Sequence, residues 1–363
     1  MRIGILGAGQ LGRMLALAGI PLDIQFRFFD PTSNGPASQA GSQIVAPYED
    51  QVALARFAEN CDAITYEFEN VPTETAEFLA KFAPVFPPPN ALRAAQDRLT
   101  EKRILRGLGI PTPLFDAVDS PVELRDTADR FGLPAVLKTR RFGYDGKGQI
   151  VLRQASDLSL AWNELQGNPL ILESFIPFER ELSLIGVRGQ AGETAFYPLL
   201  ENQHRDGILR KTIAPAPNVS PELQAEAEDH LTRLMETLNY VGVLTVEFFL
   251  LNGRLVANEM APRVHNSGHG TIEGAETSQF ENHVRAVSGL PLGSTALRGF
   301  SVMLNLIGDL PDTTALLKIP GLHLHLYGKT PRPGRKLGHV TLRADDSAAL
   351  EFAVTQAAAL ITD

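Results

Sequence analysis

Glu247, Asn258, Glu259, Arg263, His265, Asn266 and His269 fall within one short segment of this 363-residue chain. Carboxylates on neighbouring strands suit Mg²⁺, a hard cation that takes oxygen ligands and usually bridges to substrate phosphates. The arginine, histidine and amide groups that follow suit a small anion held beside that metal. Together they read as the centre of an ATP-using enzyme. The competing reading is an ordinary hairpin with exposed glutamates. Against it stands Glu247, inside the apolar run Gly242-Val-Leu-Thr-Val-Glu-Phe-Phe-Leu-Leu251, where an unpaired carboxylate is costly.

Whether Glu247 and Glu259 meet depends on strand register. Asn252-Gly253 is a strong hairpin signal. A strict two-residue turn pairs Leu251 with Arg254, sets Glu247 opposite Asn258 and turns Glu259 to the other face, because strand side chains alternate. A three-residue turn with its glycine in a bulge pairs Leu251 with Leu255 and Glu247 with Glu259. The second geometry is expected, since only it lets both carboxylates share metal ions.

The cluster Phe142-Gly-Tyr-Asp-Gly-Lys-Gly148 joins two strand-like runs, Ala135–Thr139 and Gln149–Arg153. A Walker loop leads into a helix; this one connects strands. It reads as a flap over nucleotide phosphates, like the glycine-rich loop of kinases, with Lys138 and Lys147 in reach of phosphate oxygens. A glycine-rich surface hairpin is the alternative. Leu170–Ile176 is an apolar strand that can offer backbone groups to an adenine edge, with Glu181 nearby for ribose hydroxyls. His204 reads as a plain loop histidine or a nucleotide-site one. Lys329, Arg332, Arg335, Lys336 and His339 form a basic cluster suited to a phosphate monoester, or a solvated charge run.

Gly7-Ala-Gly-Gln-Leu-Gly12 matches the dinucleotide fingerprint, with Asp30 at the end of the next strand. Alone it points to a nicotinamide-dependent oxidoreductase. Physically it is a tight turn that admits an anion or a backbone to a helix N-terminus. Nothing downstream supplies hydride-transfer apparatus.

The positioning elements follow from periodicity. Residues 1–95 alternate strands (Arg2–Leu6, Ile24–Phe29, Ala63–Glu67) with helices (Gln10–Ala18, Gln51–Asn60, Thr73–Phe82), which implies a parallel sheet covered by helices. Phe86-Pro-Pro-Pro89 marks a boundary. Residues 91–108 read as one helix ending at Gly109. Strands dominate from about 115 to 290, with helices over 121–131, 155–166 and 221–239 and a capping-box start at Ser278. The rest, 291–363, is a smaller α+β segment closing with the alanine-rich helix 347–360. A chain of this length implies two or three domains. The net charge of −9 argues against a general nucleic-acid binder. A single cysteine, Cys61, excludes an intrachain disulfide and fits a reducing cytoplasm. No apolar run reaches the roughly 18 residues of a membrane span. Met1–Leu6 enters a strand at once, so no signal peptide is expected.

Taken together, these residues resemble the ATP-grasp superfamily, and within it the 5-(carboxyamino)imidazole ribonucleotide synthetases, ATP-dependent carboxylases of bacterial purine biosynthesis. The resemblance rests on Gly7–Met14, Thr65-Tyr-Glu-Phe-Glu-Asn-Val71, Asp97-Arg-Leu-Thr-Glu-Lys102, Lys138, Gly143–Gln149, Glu173, Asn258–His269 and Gly334-Arg-Lys-Leu-Gly-His339. It implies a mixed α/β and α+β architecture: a Rossmann-like domain over 1–95, an ATP-grasp domain over 96–290 with flap 143–149 and metal hairpin 243–259, and a C-terminal subdomain over 291–363 that completes the active site. It implies ATP contacts from Arg98, Lys138, Gly143, Tyr144, Asp145, Gly146, Lys147, Gly148, Gln149, Glu173, Ser174, Phe175, Ile176, Glu181, His204, Asn258 and Glu259. Glu247 and Glu259 become Mg²⁺ ligands. Arg263 becomes the bicarbonate site, with His265 and Asn266 beside it and His265 handling protons. Gly9, Gln10, Leu11, Tyr144, Asp145, Lys147, Arg335 and Lys336 become positions that bind aminoimidazole ribonucleotide, Asp145 and Lys336 also serving catalysis. ATP, Mg²⁺ and bicarbonate are then required, with neither nucleic acid nor membrane as partner. A cytoplasmic homodimer passing its product to a mutase is implied as well. Another ATP-grasp carboxylate–amine ligase is the nearer alternative, the oxidoreductase the more distant one. Family members often carry tryptophan after Ser-Gly-His, where this chain has Gly270.

Overall fold

A computed structural model describes residues 1–143 and 145–361. The first sheet contains β1 (Arg2–Leu6), β2 (Gln25–Phe29), β3 (Ser42–Ile44) and β4 (Ala63–Tyr66), all parallel, in the order β3-β2-β1-β4. β1 is buried at four successive residues because both faces are covered. Ile3 and Ile5 join one core with Phe28 and Phe280; Leu6 joins the other with Phe57, Ile64 and Tyr66. The strand order reverses direction between β1 and β4, so the carboxyl ends of these two strands open a crevice. The short edge strand Ser42–Ile44 carries no strong periodic signal and was not expected.

The second layer is antiparallel: β5 (Phe115–Val118), β6 (Ala135–Thr139), β7 (Gln149–Leu152) and β8 (Leu170–Ser174), in the order β5-β8-β6-β7. Helices Pro121–Phe131 and Asp157–Leu165 cover one of its faces through Leu124, Ala128, Ala161 and Leu165.

The third sheet has nine strands: β9 (Arg180–Arg188), β10 (Thr194–Phe196), β11 (Leu200–Arg205), β12 (Ile208–Ala214), β13 (Gly242–Leu251), β14 (Arg254–Ala261), β15 (Phe300–Ile307), β16 (Leu322–Leu326) and β17 (Lys336–Ala344). Their order is β14-β13-β9-β11-β12-β15-β17-β16, with β10 on β9. The chain after 291 therefore does not fold apart: β15 pairs with β12 and carries β17 and β16 on the same sheet. His283 ties the first sheet to the third. Its Nδ1 accepts the Val243 N–H at 3.1 Å, which leaves Nε2–H to donate to Thr65 Oγ1 at 2.9 Å.

The single helix expected over 91–108 is two helices, Pro89–Ala95 and Arg98–Gly107. Asp97 lies between them in extended conformation (φ −128°, ψ 110°), and its side chain accepts the N–H groups of Leu99 and Thr100 at 3.0 and 3.2 Å. Such a cap is worth about 1 kcal/mol. The break starts a new helix that turns Arg98, Glu101 and Lys102 toward β14, where they bond Glu259, the Met260 N–H and the Asn258 carbonyl.

Candidate active site

The β13–β14 hairpin brings its two glutamates together by a route other than the expected one. Asn252 and Gly253 have φ of 51° and 74°, so the turn is a strict two-residue one that pairs Leu251 with Arg254. The extra residue sits further along. Phe248 pairs with Ala257, Glu247 pairs with Glu259, and Asn258 is bulged between them. The bulge restores the shared face, and the Asn258 carbonyl accepts Lys102 Nζ at 2.6 Å.

This carboxylate pair is electrostatically uneven. Glu259 accepts Arg98 Nη1 at 2.7 Å, and that guanidinium outweighs burial and holds its carboxyl low. Glu247 is pushed up by burial and by the neighbouring Glu259 charge. Two carboxylates on one face, with a guanidinium paired to Glu259 alone among the described residues, form an oxygen-rich donor set that fits Mg²⁺. Among the described residues no cluster of three or more His, Cys, Asp or Glu side chains could enclose a metal, so the pair would supply only part of a Mg²⁺ coordination shell.

Glu173 is 2% exposed and faces two lysines, Lys138 at 2.9 Å and Lys102 at 3.5 Å. Burial raises its pKa, but Lys102 and Lys138 prevail and bring it down to about 2. Its side chain is thus a buried counterion that aims Lys138 into the cavity. Lys102 and Glu69 were not expected as site residues, although both lie in the short motifs quoted above. Glu181 Oε2 bonds His204 Nδ1 at 2.6 Å. Phe178 and Phe249 stack on each other at 4.6 Å and, with Val136, Val151 and Ile176, give the cavity apolar lining.

On the anion side, Arg263 is held by Glu69 and by the Val264 carbonyl at 3.0 Å. His265 Nε2 lies 3.4 Å from Glu247 Oε1, and burial followed by the Arg263 charge lowers its pKa to about 3. Both polar side-chain atoms of Asn266 are buried at the cavity wall without partners among the described residues. Asp145 on the flap accepts Lys336 Nζ at 2.7 Å. The flap tip meets the β11–β12 turn: Gly207 has φ +74°, and a Cβ there would lie 2.5 Å from Gly146 Cα. Two backbones approach where no side chain fits.

These groups line one cavity of about 390 Å³. Of the expected positions, Gly9, Gly148 and Arg335 do not contribute to its wall; Arg335 Nη1 donates instead to the Thr330 carbonyl at 3.1 Å. Tyr144 lies outside the described residues. Glu69, Phe178, Phe249 and Tyr327 line it without having been expected, and His269 of the opening cluster lines it too. A larger groove of about 1200 Å³ has only Lys211, Glu228 and Glu351 as charged lining residues. Chemistry, not size, singles out the smaller one.

The glycine fingerprint serves another purpose. Glu67, just beyond β4, accepts the N–H groups of Gly9 and Gly12, the latter at 2.5 Å. Its carboxylate already sits where a dinucleotide pyrophosphate would bind the helix N-terminus. Cβ atoms added at Gly7 and Gly9 would lie 2.4 and 2.6 Å from Glu67. The glycines make room for a side chain, and the oxidoreductase reading loses its anion site.

Residues 1–96 match the ribonucleotide synthetase preATP-grasp domain, residues 103–280 the ATP-grasp domain, and residues 301–352 the phosphoribosylaminoimidazole carboxylase C-terminal domain. An N5-carboxyaminoimidazole ribonucleotide synthase of Pseudomonas aeruginosa is 54% identical over 361 residues, 99% of each chain. The chain belongs to this synthase family. The crystal structure of the family's Thermus thermophilus synthetase superposes with a TM-score of 0.96 at 56% identity, over 99% of both chains. An Aspergillus clavatus synthase, solved in complex with ADP and the aminoimidazole ribonucleotide, superposes with a TM-score of 0.93 at 33% identity, over 99% of this chain and 98% of that one.

Proposed function

We propose that this protein joins bicarbonate to the exocyclic amine of 5-aminoimidazole ribonucleotide at the expense of ATP, giving 5-(carboxyamino)imidazole ribonucleotide, ADP and phosphate. The observation that carries this reading is the Glu247–Glu259 pair, set on one face between the Lys138–Glu173 cradle and Arg263. A nucleotide, its metal and a small anion thus have adjoining places in one cavity.

Arg98, Lys138 and the flap 143–149 hold the ATP phosphates, and the purine lies against the apolar lining of Val136, Val151, Ile176, Phe178 and Phe249. Glu247 and Glu259 would hold Mg²⁺, which would supply neutralisation of the phosphate charge. Arg263 pairs with bicarbonate, whose oxygen attacks the γ-phosphorus as ADP leaves. The product, carboxyphosphate, is a labile mixed anhydride. The substrate amine then bonds to its carbon, or to carbon dioxide released from it; phosphate departs and the nitrogen loses a proton. Positioning and charge neutralisation carry the rate, since the chain forms no bond to substrate. The Asp145–Lys336 contact holds the flap down and keeps water from the intermediate. Gln10, Leu11 and Lys336 face the ribonucleotide.

The test is ADP release from Mg-ATP in bicarbonate buffer, with and without the aminoimidazole ribonucleotide. Strong stimulation with phosphate formed in step is expected. ADP release that ignores the ribonucleotide would assign a different acceptor; no ADP release would remove the reading altogether. The same reading includes a cytoplasmic homodimer handing product to a mutase. Sedimentation at twice the monomer mass is expected, and a monomer would exclude the dimer. No described helix is long and apolar enough to cross a membrane.

A further inference from the structure

Next to the carboxylate pair, the large sheet carries a run of buried polar side chains that leads away from the cavity. Ser183, Asn202 and Thr212 lie on β9, β11 and β12 and are 0, 4 and 2% exposed. Register puts them on one face: Ser183 is directly opposite Glu247, and Asn202 is directly opposite Thr212. Ser267, itself buried, bridges from the turn at 266–268 to His265. The links are Thr212 Oγ1 to Asn202 Oδ1 at 3.0 Å, Asn202 Nδ2 to Ser183 Oγ at 3.0 Å, Ser183 Oγ to Ser267 Oγ at 2.9 Å, and Ser267 Oγ to His265 Nδ1 at 2.8 Å.

The chain has a direction. The backbone N–H of Ser267 also points at His265 Nδ1, at 3.3 Å, and a backbone N–H can only donate. His265 Nδ1 is therefore an acceptor, and the proton of the neutral ring sits on Nε2. At the far end the Asn202 amide nitrogen can only donate, so Ser183 accepts from it and sends its own hydrogen to Ser267. Ser267 sends its hydrogen to the imidazole. Every donor in the series points toward His265. Buried polar groups need partners, but apolar residues of the same shape would have met that need at equal or lower cost. A series that ends on an imidazole in the cavity wall, with its polarity kept at each link, does more than satisfy itself.

We infer that Thr212, Asn202, Ser183 and Ser267 are positioning residues that lock His265 as the Nε2–H tautomer. That ring then presents a fixed hydrogen-bond donor beside Glu247, aimed at an oxygen of the bicarbonate-derived carboxyl group. The inference rests on the proposed carboxylation. It gives His265 the task of stabilising charge that develops on that oxygen, in place of removing a proton through Nε2.

The test uses the full-length chain labelled with ¹⁵N-histidine, with His265 assigned by its loss in His265→Gln. NMR is expected to show a bare Nδ1 and a protonated Nε2; the opposite tautomer overturns the inference. In Ser183→Ala, kcat for ribonucleotide-stimulated ADP release is expected to fall about tenfold with the KM for Mg-ATP unchanged, and the His265 Nδ1 signal should shift as the Ser267 hydroxyl loses its fixed orientation, while the Ser267 N–H keeps Nδ1 an acceptor. Unchanged kcat and unchanged signals would reduce the chain to a structural element and overturn the proposal, even if the variant melts earlier. Should Ser183→Ala not fold, Asn202→Asp removes the donor one link further from His265, Nδ2–H to Ser183, and must lower kcat and move the His265 signals in the same direction. Absence of ribonucleotide stimulation in the unmodified chain would instead sink the proposed function, which the tautomer measurement does not depend on.

Discussion

Replacing Glu173 by glutamine should damage the protein more than any exposed ion pair would. Glu173 is 2% exposed, between Lys138 at 2.9 Å and a fully buried Lys102 at 3.5 Å. Burial alone would raise its pKa; the two lysines bring it from 4.5 to about 2. A difference of that size corresponds to about 3 kcal/mol of stability at neutral pH. Loss of one partner from a buried ionic cluster is measured in the same range, about 3–5 kcal/mol. The sign with pH follows from a folded pKa below the unfolded one. The contribution is complete above about pH 4.5 and disappears as pH falls toward 2. Urea unfolding followed by Trp162 fluorescence reads this layer directly, because the only tryptophan packs against the core of the sheet that contains β8. Glu173→Gln is expected to lose about 3 kcal/mol at pH 7 and to show a smaller further loss between pH 5 and 3 than the unmodified chain. Adding Lys138→Met should recover part of the loss, since one of the two stranded cations is removed. A cost below about 1 kcal/mol for Glu173→Gln would refute the view of this residue as the counterion of the cradle.

Glu259→Gln should abolish ATP turnover, because it removes one carboxylate of the proposed Mg²⁺ pair and leaves Arg98 without its counterion; near-normal ADP release would withdraw the metal assignment. Gly9→Ala should lower the thermal unfolding midpoint, its Cβ standing 2.6 Å from Glu67 Oε1; an unchanged melt by circular dichroism would contradict the close fit. His283 is buried and its pKa is lowered by that burial to about 3. With the folded pKa below the unfolded one, its stabilisation is complete above about pH 6.5 and is lost as pH falls toward 3, about 2 kcal/mol of it by pH 5. His283→Gln should therefore lose less stability than the unmodified chain between pH 7.5 and 5, and identical losses would exclude this linkage. Gly270 has helical angles (φ −61°, ψ −14°), and an added Cβ would touch Met303 Cβ at 3.6 Å, ordinary contact. Gly270→Ala should stabilise by about 0.4–1 kcal/mol; a lower unfolding midpoint would show that the space is not free.

Local patterns carried far in this chain. Alternation of apolar runs and helical spacing over the first 95 residues is enough to imply the parallel sheet, because each element must bury one face or both. Asn252-Gly253 marks its turn unaided, since only residues tolerant of positive φ close a two-residue hairpin. Asp97 carried a legible helix-start signal that the long periodic run 91–108 concealed. What the sequence did not determine were the places where distant segments compete for one group. A bulge at Asn258 leaves no local mark, since it is stabilised by what it faces: Lys102 bonds the bulged carbonyl and Arg98 takes the glutamate beyond it. The fingerprint at Gly7–Gly12 looks the same whether a pyrophosphate or a carboxylate fills it. Only the packing of β4 beside β1 delivers Glu67 to those N–H groups and so decides the matter. The sequence by itself determined the residue types that can do phosphate chemistry and the elements that hold them. Tertiary structure alone decided which carboxylate meets which cation, because charge and hydrogen-bond partnership depend on distance in space and not on distance along the chain.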